Sequence, residues 1–500
     1  MSDFLSRDAY AAVAKSLSLQ TKAFIGGAFV PAISGKTMPT VNPATGEELA
    51  RFAACGKEDV DLAVKIARKT FESGVWSRMH PTERKKIFLR FVGLIEKNLT
   101  ELAVLESLDS GKPLSECLVT DLPESIECLE WHAEFADKQF GGTSPSGSCS
   151  LGIIEREPAG VVGCVLPWNF PIQMCAWKLG PALSEGNSVI VKPASWTTLS
   201  TLRLAELAAE AGIPEGVLQV VTGGGEAVGA EIGLHPDVDV VSFTGSTEVG
   251  RRFLSYSSQS NLKRIVLELG GKNPFVLLDD YTDFAEAAKW AAAAAFWNMG
   301  ENCTANSRII VPVQHKDAFL EAFLEEIRNN WKIGDPLDTA NNLGSMVSES
   351  QFKKVMGYIE KGRNEGCRVV TGGEALPIGS GLFIPPTVFD NVLPSHTIAR
   401  EEIFGPVTSI ITAASNDEAV RIANDTPYGL QATLFAKDIA LAHKYARQLK
   451  AGTVSVNKFC EGDNTTPFGG YKLSGCGGKD KGRESHDQYT ETKTIFINLD

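Results

Sequence analysis

The run Phe296–Ala305, Phe-Trp-Asn-Met-Gly-Glu-Asn-Cys-Thr-Ala, carries Cys303, the thiol in this chain best placed for chemistry. It follows an alanine-rich stretch, Ala291–Ala295, that reads as the end of a buried helix; the chain then breaks at Gly300 and presents one cysteine among small and polar residues. The nucleophile is the thiolate, so a reactive cysteine must be reachable and near hydrogen-bond donors or positive potential. A free cysteine is otherwise most often buried and inert. What separates the two readings is the company Cys303 keeps.

Four earlier stretches offer partners. Leu166–Pro171 presents Asn169, whose amide can hold a developing oxyanion, or simply cap the helix starting at Pro171. Lys192, at the end of an apolar strand, can reach a ribose or phosphate, or lie on the surface. Phe243–Gly250 puts Ser246 at a helix N-terminus, where backbone donors and the helix dipole suit a pyrophosphate. It lacks the GxGxxG dinucleotide pattern, and a plain capped turn would look alike. Glu268 ends a strand before two glycines; partly desolvated, it can act as a general base, whereas solvated it is only a loop residue.

The elements that must position these groups follow from hydrophobic rhythm. Helical spacing appears from Glu58, after Pro81, and over Glu124–Lys138, and Phe24–Val30 reads as a hairpin. Gly141–Ser150 reads as a turn or linker. Short apolar strands then alternate with helices: Val161–Leu166, Ser188–Lys192, Val217–Val221, Val238–Phe243 and Arg264–Glu268, separated by helices near 172–184, 199–212, 226–234 and 248–257. That alternation predicts a parallel sheet covered on both faces, binding ligands beyond the carboxyl ends of its strands. A second alternating region starts at Asn273, with strands at 274–277, 308–311, 408–412, 432–435 and 453–456. Its helices are expected at 282–296, 316–330, 350–365, 417–425 and 439–450. Thr490–Asp500 reads as one extended strand, pairing with Ser150–Arg156 or with a neighbouring subunit.

Composition excludes several classes. The 500 residues are 43% hydrophobic and 22% charged, enough for two or three domains. A net charge of −13 and the lack of basic tracts argue against a nucleic-acid partner. No apolar stretch reaches membrane-span length. Met1–Gln20 lacks the apolar core of a signal peptide and suggests a short surface helix. Ten cysteines without CxxC pairs predict free thiols, no metal, and a reducing, cytoplasmic compartment.

Taken together and in order, Leu166–Pro171, Lys192, Phe243–Gly250, Glu268–Pro274, Phe296–Cys303 and Glu402-Ile-Phe-Gly-Pro resemble the aldehyde dehydrogenase superfamily, from about Phe24 to the C-terminus. The resemblance implies an α/β fold: a Rossmann-type cofactor domain (1–140 and 159–270), an α/β catalytic domain (271–471) and a small β oligomerisation extension (141–158 and 486–500) of a homotetramer or homodimer. It implies that Cys303 attacks an aldehyde, that Asn169 and the Cys303 N–H hold the oxyanion, and that Glu268 activates water to release the acid. Lys178 falls among the catalytic residues, beside a proton-release path in which Asp480 stands where many members have glutamate; no role for Asp480 follows.

For the cofactor, the resemblance implies NAD, held by Leu166, Pro167, Trp168, Lys192, Ser195, Gly225, Phe243, Gly245, Ser246, Val249, Glu268, Leu269, Gly270, Gln351, Glu402 and Phe404. Strict NAD users commonly carry a glutamate three residues after the lysine. Ser195 occupies that place, which removes repulsion toward a 2′-phosphate and implies that NADP is also accepted. The implied substrate tunnel comprises Phe170, Met174, Trp177, Trp297 and Phe459, with acids Asp121, Glu124, Glu461 and Asp463. Aromatic walls suit an aldehyde with a hydrophobic or cationic tail, and the acids decide for a cationic one, an ω-amino or guanidino aldehyde like those of polyamine-pathway enzymes. A broad aliphatic or aromatic aldehyde oxidiser, with these acids as a solvated rim, is the alternative; a semialdehyde oxidiser would want an arginine at the mouth, and the lining segments hold none.

Overall fold

A computed structural model describes residues 4–500. Five parallel strands form the middle of the first sheet, in the order Arg264–Glu268, Val240–Thr244, Val161–Val165, Ser188–Lys192, Leu218–Val220. Apart from the half-exposed Arg264, every residue in them is buried, because helices cover both faces; that is why they read as unbroken apolar runs. Antiparallel strands close each edge: Gly475–Cys476 on one side, the hairpin Ala23–Ile25 and Ala28–Val30 on the other. From the central strand Val161–Val165 the chain moves outward one way, then returns to build the other side. The crevice at this reversal lies beyond the carboxyl ends of the strands, where such sheets take their ligands. The turns Leu166–Phe170 and Gly245–Ser246 open there.

The second sheet has seven strands, ordered Arg368–Thr371, Thr387–Asp390, Val407–Ala413, Arg308–Pro312, Pro274–Leu277, Gln431–Phe435, Thr453–Val456, all parallel except the first. Its strands are entered through loops that carry the other candidate groups: Gly270–Asn273, Asn302–Ser307 and Glu402–Pro406. A third sheet stands apart from both cores. Thr490–Asn498 pairs antiparallel with Ser150–Pro158, which also pairs with Gly142–Ser144.

The structure departs from the sequence expectations in definite places. Leu99–Ser110 is a helix that the periodicity does not announce. The hairpin Thr37–Val41 with Glu48–Ala53, and the strand pair Arg368–Thr371 with Thr387–Asp390, were likewise unread. Gly142–Ser144, inside the expected linker, is a strand. The helix near 226–234 begins with a wide turn over Gly225–Gly229, and that from Ile439 ends at Ala446. Near the N-terminus Arg7–Ser16 is helical; residues 1–3 of the expected surface helix lie outside the described residues.

Candidate active site

The helix Phe284–Phe296 does not continue into the cysteine loop because Asn298 and Met299 turn left-handed, at φ 52° and 55°. Gly300 follows, also with positive φ, and any side chain there would run into the carbonyl of Gly405. The loop is thereby pressed against the segment Glu402–Pro406. Asn298 fastens it on the other side, donating to the carbonyls of Asn169 (2.9 Å) and Glu301 (3.0 Å). Asn273 donates to the carbonyls of Cys303 (2.7 Å) and Ala305 (3.2 Å). The groups separated by more than a hundred residues in sequence thus meet: Asn169 and Cys303 line one cavity of about 180 Å³ together with Met174, Leu269, Gly270 and Glu402.

The electrostatics around Cys303 differ from the electropositive setting expected of a reactive thiol. Burial pushes its pKa well above the ordinary value, and the carboxylates of Glu461, Glu402 and Glu268 push it further. The thiol of the free protein is therefore held protonated, and its residual exposure is to the cavity.

Glu268 lines neither the thiol cavity, though its neighbours Leu269 and Gly270 do, nor the cofactor cleft assigned to it. It is 3% exposed, and among the described residues neither carboxylate oxygen has a hydrogen-bond partner. Burial raises its pKa well above the carboxylate range; Asp480 raises it further, while Lys178 and Lys479 oppose. Lys178 lines neither cavity. Its ammonium sits wholly buried between Asp480 (3.0 Å) and Ser242 (3.0 Å), so it acts on Glu268 through charge.

A larger cleft of about 500 Å³ continues from the thiol cavity, sharing Pro167, Trp168, Thr244, Gly245 and Ser246 with it. Leu166, Lys192, Ser195, Gly225, Phe243 and Val249 line it, with Trp196, Arg252 and Tyr256, which the sequence reading missed. Ser246 caps the helix Thr247–Gln259, accepting from Val249 N–H at 3.3 Å. The backbone at Gly224 and Gly225 borders open space, leaving room for a ligand. Lys192 is 3% exposed, held by one carbonyl (Pro193, 2.8 Å), and burial lowers its pKa to about 8. At the inner end Glu402 accepts from Gly271 N–H at 2.8 Å, and Gln351 donates to the Phe404 carbonyl at 2.6 Å. Phe404 is held at φ 61° with its ring edge-on to Trp168, centroids 5.2 Å apart. These donors and cations, at a helix N-terminus, fit a dinucleotide diphosphate with its two riboses.

A third cavity, about 470 Å³, opens on the far side of Trp297. Glu124, Trp297, Phe459 and Glu461 line it as expected positions of a tunnel, joined by Glu116, Trp290, Trp331 and Lys481, which sequence reasoning did not find. Trp297 donates its indole N–H to Glu116 at 2.9 Å and packs on Phe170, centroids 5.0 Å apart. Of the other expected lining residues, Met174 lines the thiol cavity instead, Phe170 is buried against Trp297, and three more line neither cavity. Asp121 is fully buried in an ion pair with Lys112, whose ammonium also lies 4.2 Å from the Phe170 ring centre. Asp463 is exposed and folds its own turn, accepting from Thr465. Trp177 is 2% exposed, packed on Phe468 behind the wall. Burial, and after it the charge of Glu461, raises the Glu124 pKa to about 7. Among the described residues no cluster of side chains is suited to a metal.

Two α/β sheets, a thiol and an amide on one cavity wall, and a cleft that runs from them across a helix N-terminus describe a cysteine-dependent, dinucleotide-linked enzyme of carbonyl groups. The aldehyde dehydrogenase family model matches residues 29–495, and the chain belongs to that family. It is 53% identical over 497 residues to an aminoacetaldehyde dehydrogenase of Pseudomonas aeruginosa, covering 99% of each chain. It is 42% identical to the NADP/NAD-dependent aldehyde dehydrogenase PuuC of Escherichia coli, covering 97% of each. The crystal structure of a gamma-glutamyl-gamma-aminobutyraldehyde dehydrogenase from Burkholderia cenocepacia superposes with a TM-score of 0.97 at 47% identity, over 99% of this chain and 100% of that one.

Proposed function

We propose that this enzyme oxidises an ω-amino or guanidino aldehyde to its carboxylic acid, with NAD as cofactor and NADP accepted. The observation that carries the chemistry is the single cavity shared by Cys303 and Asn169, continuous with the dinucleotide-shaped cleft. Cys303 Sγ bonds to the aldehyde carbon, the carbonyl electron pair moves to oxygen, and the thiol proton leaves to water. The Asn169 amide and the Cys303 N–H hold the oxyanion of this thiohemiacetal. A bound nicotinamide would supply the hydride acceptor; the C–H bond of the thiohemiacetal breaks, its electron pair leaves with the hydride, and the C=O re-forms as a thioester on Cys303. Glu268 removes a proton from water as it attacks the thioester carbon; the C–S bond breaks, and the acid and the thiol are released. Lys192, Ser195 and Ser246 would hold the adenosine half of the cofactor, and Glu402, Gln351 and Phe404 the nicotinamide ribose.

The cationic substrate class rests on the third cavity, where Glu116, Glu124 and Glu461 lie among Trp290, Trp297, Trp331 and Phe459. The names of the two relatives that act on amine-bearing aldehydes agree with it. Comparing kcat/KM for 4-aminobutyraldehyde and butyraldehyde tests it; equal values overturn the cationic reading and leave a broad aldehyde oxidiser. Loss of NADH formation in Cys303→Ala tests the nucleophile.

The same proposal covers assembly and setting. The strands 141–158 and 486–500 would join copies into a homodimer or homotetramer, since Phe496, Ile497 and Leu499 are exposed on that sheet. The dinucleotide-binding domain would comprise 1–140 and 159–270, and the catalytic domain 271–471. Ten unpaired cysteines favour a reducing cytoplasm.

A further inference from the structure

Glu461 belongs to two places at once. One oxygen accepts a hydrogen bond from the Thr304 hydroxyl, on the residue directly after the nucleophile. The same side chain lines the cavity beyond Trp297, with Phe459 and Glu124. Around it stand Lys481, whose ammonium donates to the Glu461 carbonyl at 3.3 Å, and the carboxylates of Asp121 and Glu124. Asp121 is already paired with Lys112. Lys481 lies over the Trp177 ring, 4.7 Å from its centre, and is shared between Glu461 and Glu124. Glu402 lines the cavity of Cys303, and Glu268, which lines neither cavity, adds its charge. The sulfur thus has several carboxylates acting on it, and Lys354 is the lysine that lines its cavity.

That arrangement penalises the thiolate until something positive arrives. Bound dinucleotide brings positive charge to the cofactor side only. We propose that Glu461 couples the substrate's positive charge to the nucleophile: it binds the cationic tail of the aldehyde and, once neutralised, no longer repels the negative charge that develops on Cys303. This deepens the aminoaldehyde reading and rests on it. Glu461 is hydrogen-bonded to the residue next to the nucleophile, so the cation it holds would suit an aldehyde with a short spacer. Glu116 and Glu124, which line the same cavity, remain for longer tails. A neutral aldehyde of the same length gains neither the contact nor the relief of repulsion, so it is disfavoured in the attack step as well as in binding.

Glu461→Gln tests this, because glutamine keeps the volume and an oxygen for Thr304. The experiment measures kcat/KM across pH for 3-aminopropionaldehyde and propionaldehyde, and the alkylation rate of the Cys303 peptide by iodoacetamide with and without propylammonium. In the variant, the preference for the amine is expected to fall at least about tenfold, the loss typical of removing one partner of a buried charge contact. The propionaldehyde profile and Cys303 alkylation are expected to move to lower pH. Propylammonium should speed Cys303 alkylation in the native enzyme and leave the variant unaffected. A native enzyme with no amine preference sinks the aminoaldehyde reading itself. An amine preference that survives intact in Glu461→Gln, or Cys303 alkylation whose pH dependence does not move, overturns the role of Glu461 and leaves that reading standing.

Discussion

The Ile172 backbone N–H donates to a carboxylate oxygen of Glu106 at 2.8 Å, reaching back 66 residues to a buried helix. Ile172 opens the helix whose preceding turn holds Asn169 and Phe170, so Glu106 caps the element that aims the amide. Three residues on, Asp109 accepts from Leu199 N–H at 2.9 Å, capping the helix Leu199–Ala211 beyond the Lys192 strand. One buried helix, Leu99–Ser110, therefore anchors the two helices that flank Asn169 and Lys192, the residues proposed to hold the oxyanion and a cofactor ribose. The other oxygen of Glu106 has no partner among the described residues.

Replacing Glu106 separates its two effects. Glu106→Ala is expected to lower kcat with little change in cofactor affinity, and to cost roughly 1–3 kcal/mol of stability through the orphaned N–H. Glu106→Gln keeps an acceptor and should restore most of the activity. Burial raises the Glu106 pKa to about 7, above its unfolded value. The folded state thus holds the proton longer; its stability advantage is full below the unfolded pKa and is lost as pH rises through about 7. Glu106→Gln should flatten the Tm-against-pH curve between about 5 and 8, as thermal melts in one buffer series would show.

The hidden status of this helix shows where sequence reading stops. The sheet strands were legible because nearly every residue in them is buried and apolar. Leu99–Ser110 is buried on nearly all sides, including Glu106, Ser107, Asp109 and Ser110, so it shows no apolar stripe to detect. The motifs announced Cys303, Asn169 and Glu268 because their loops need particular glycines, prolines and turns. Asp121 and Glu124 looked alike in sequence, three positions apart, yet one is paired with Lys112 and the other faces a cavity. Lys112 and Asp121 are only nine residues apart, and the wide turn Cys117–Asp121 between them decides which acid finds the buried lysine. The bond from Trp297 to Glu116, 181 residues apart, is by contrast nonlocal.

Ser195 on the cofactor cleft wall predicts the direction of a cofactor switch. Ser195→Glu places a carboxylate where a 2′-phosphate would lie near Lys192. Juxtaposed like charges cost several kcal/mol, so kcat/KM for NADP should fall more than about tenfold while that for NAD holds or rises. Steady-state kinetics with both cofactors decide it; undetectable NADP turnover in the native enzyme would already contradict the reading of Ser195.

Glu268→Gln is expected to divide the reaction in time. Formation of the thioester on Cys303 does not need the base, whereas its hydrolysis does. Rapid mixing should therefore show a burst of about one NADH per site, then turnover slowed by roughly 10² to 10⁴, the usual worth of a positioned base. A variant that slows the burst as much as the steady state would place Glu268 in the first step instead.

The buried pair Lys178 and Asp480 gives opposite shifts from its two halves. Asp480 raises the Glu268 pKa and Lys178 lowers it. A base works only when deprotonated, so the rate of thioester hydrolysis rises with pH through the Glu268 pKa. Asp480→Asn removes a negative neighbour, and should move that limb to lower pH. Lys178→Met removes the positive one, and should move it to higher pH. Each single change also leaves an unpaired charge in a site with no solvent, at about 3–5 kcal/mol, and Tm should fall in both. The double variant Lys178→Met, Asp480→Asn removes both charges and should recover part of that stability. Its pH limb should fall between those of the singles, which a structural role for the pair alone would not produce.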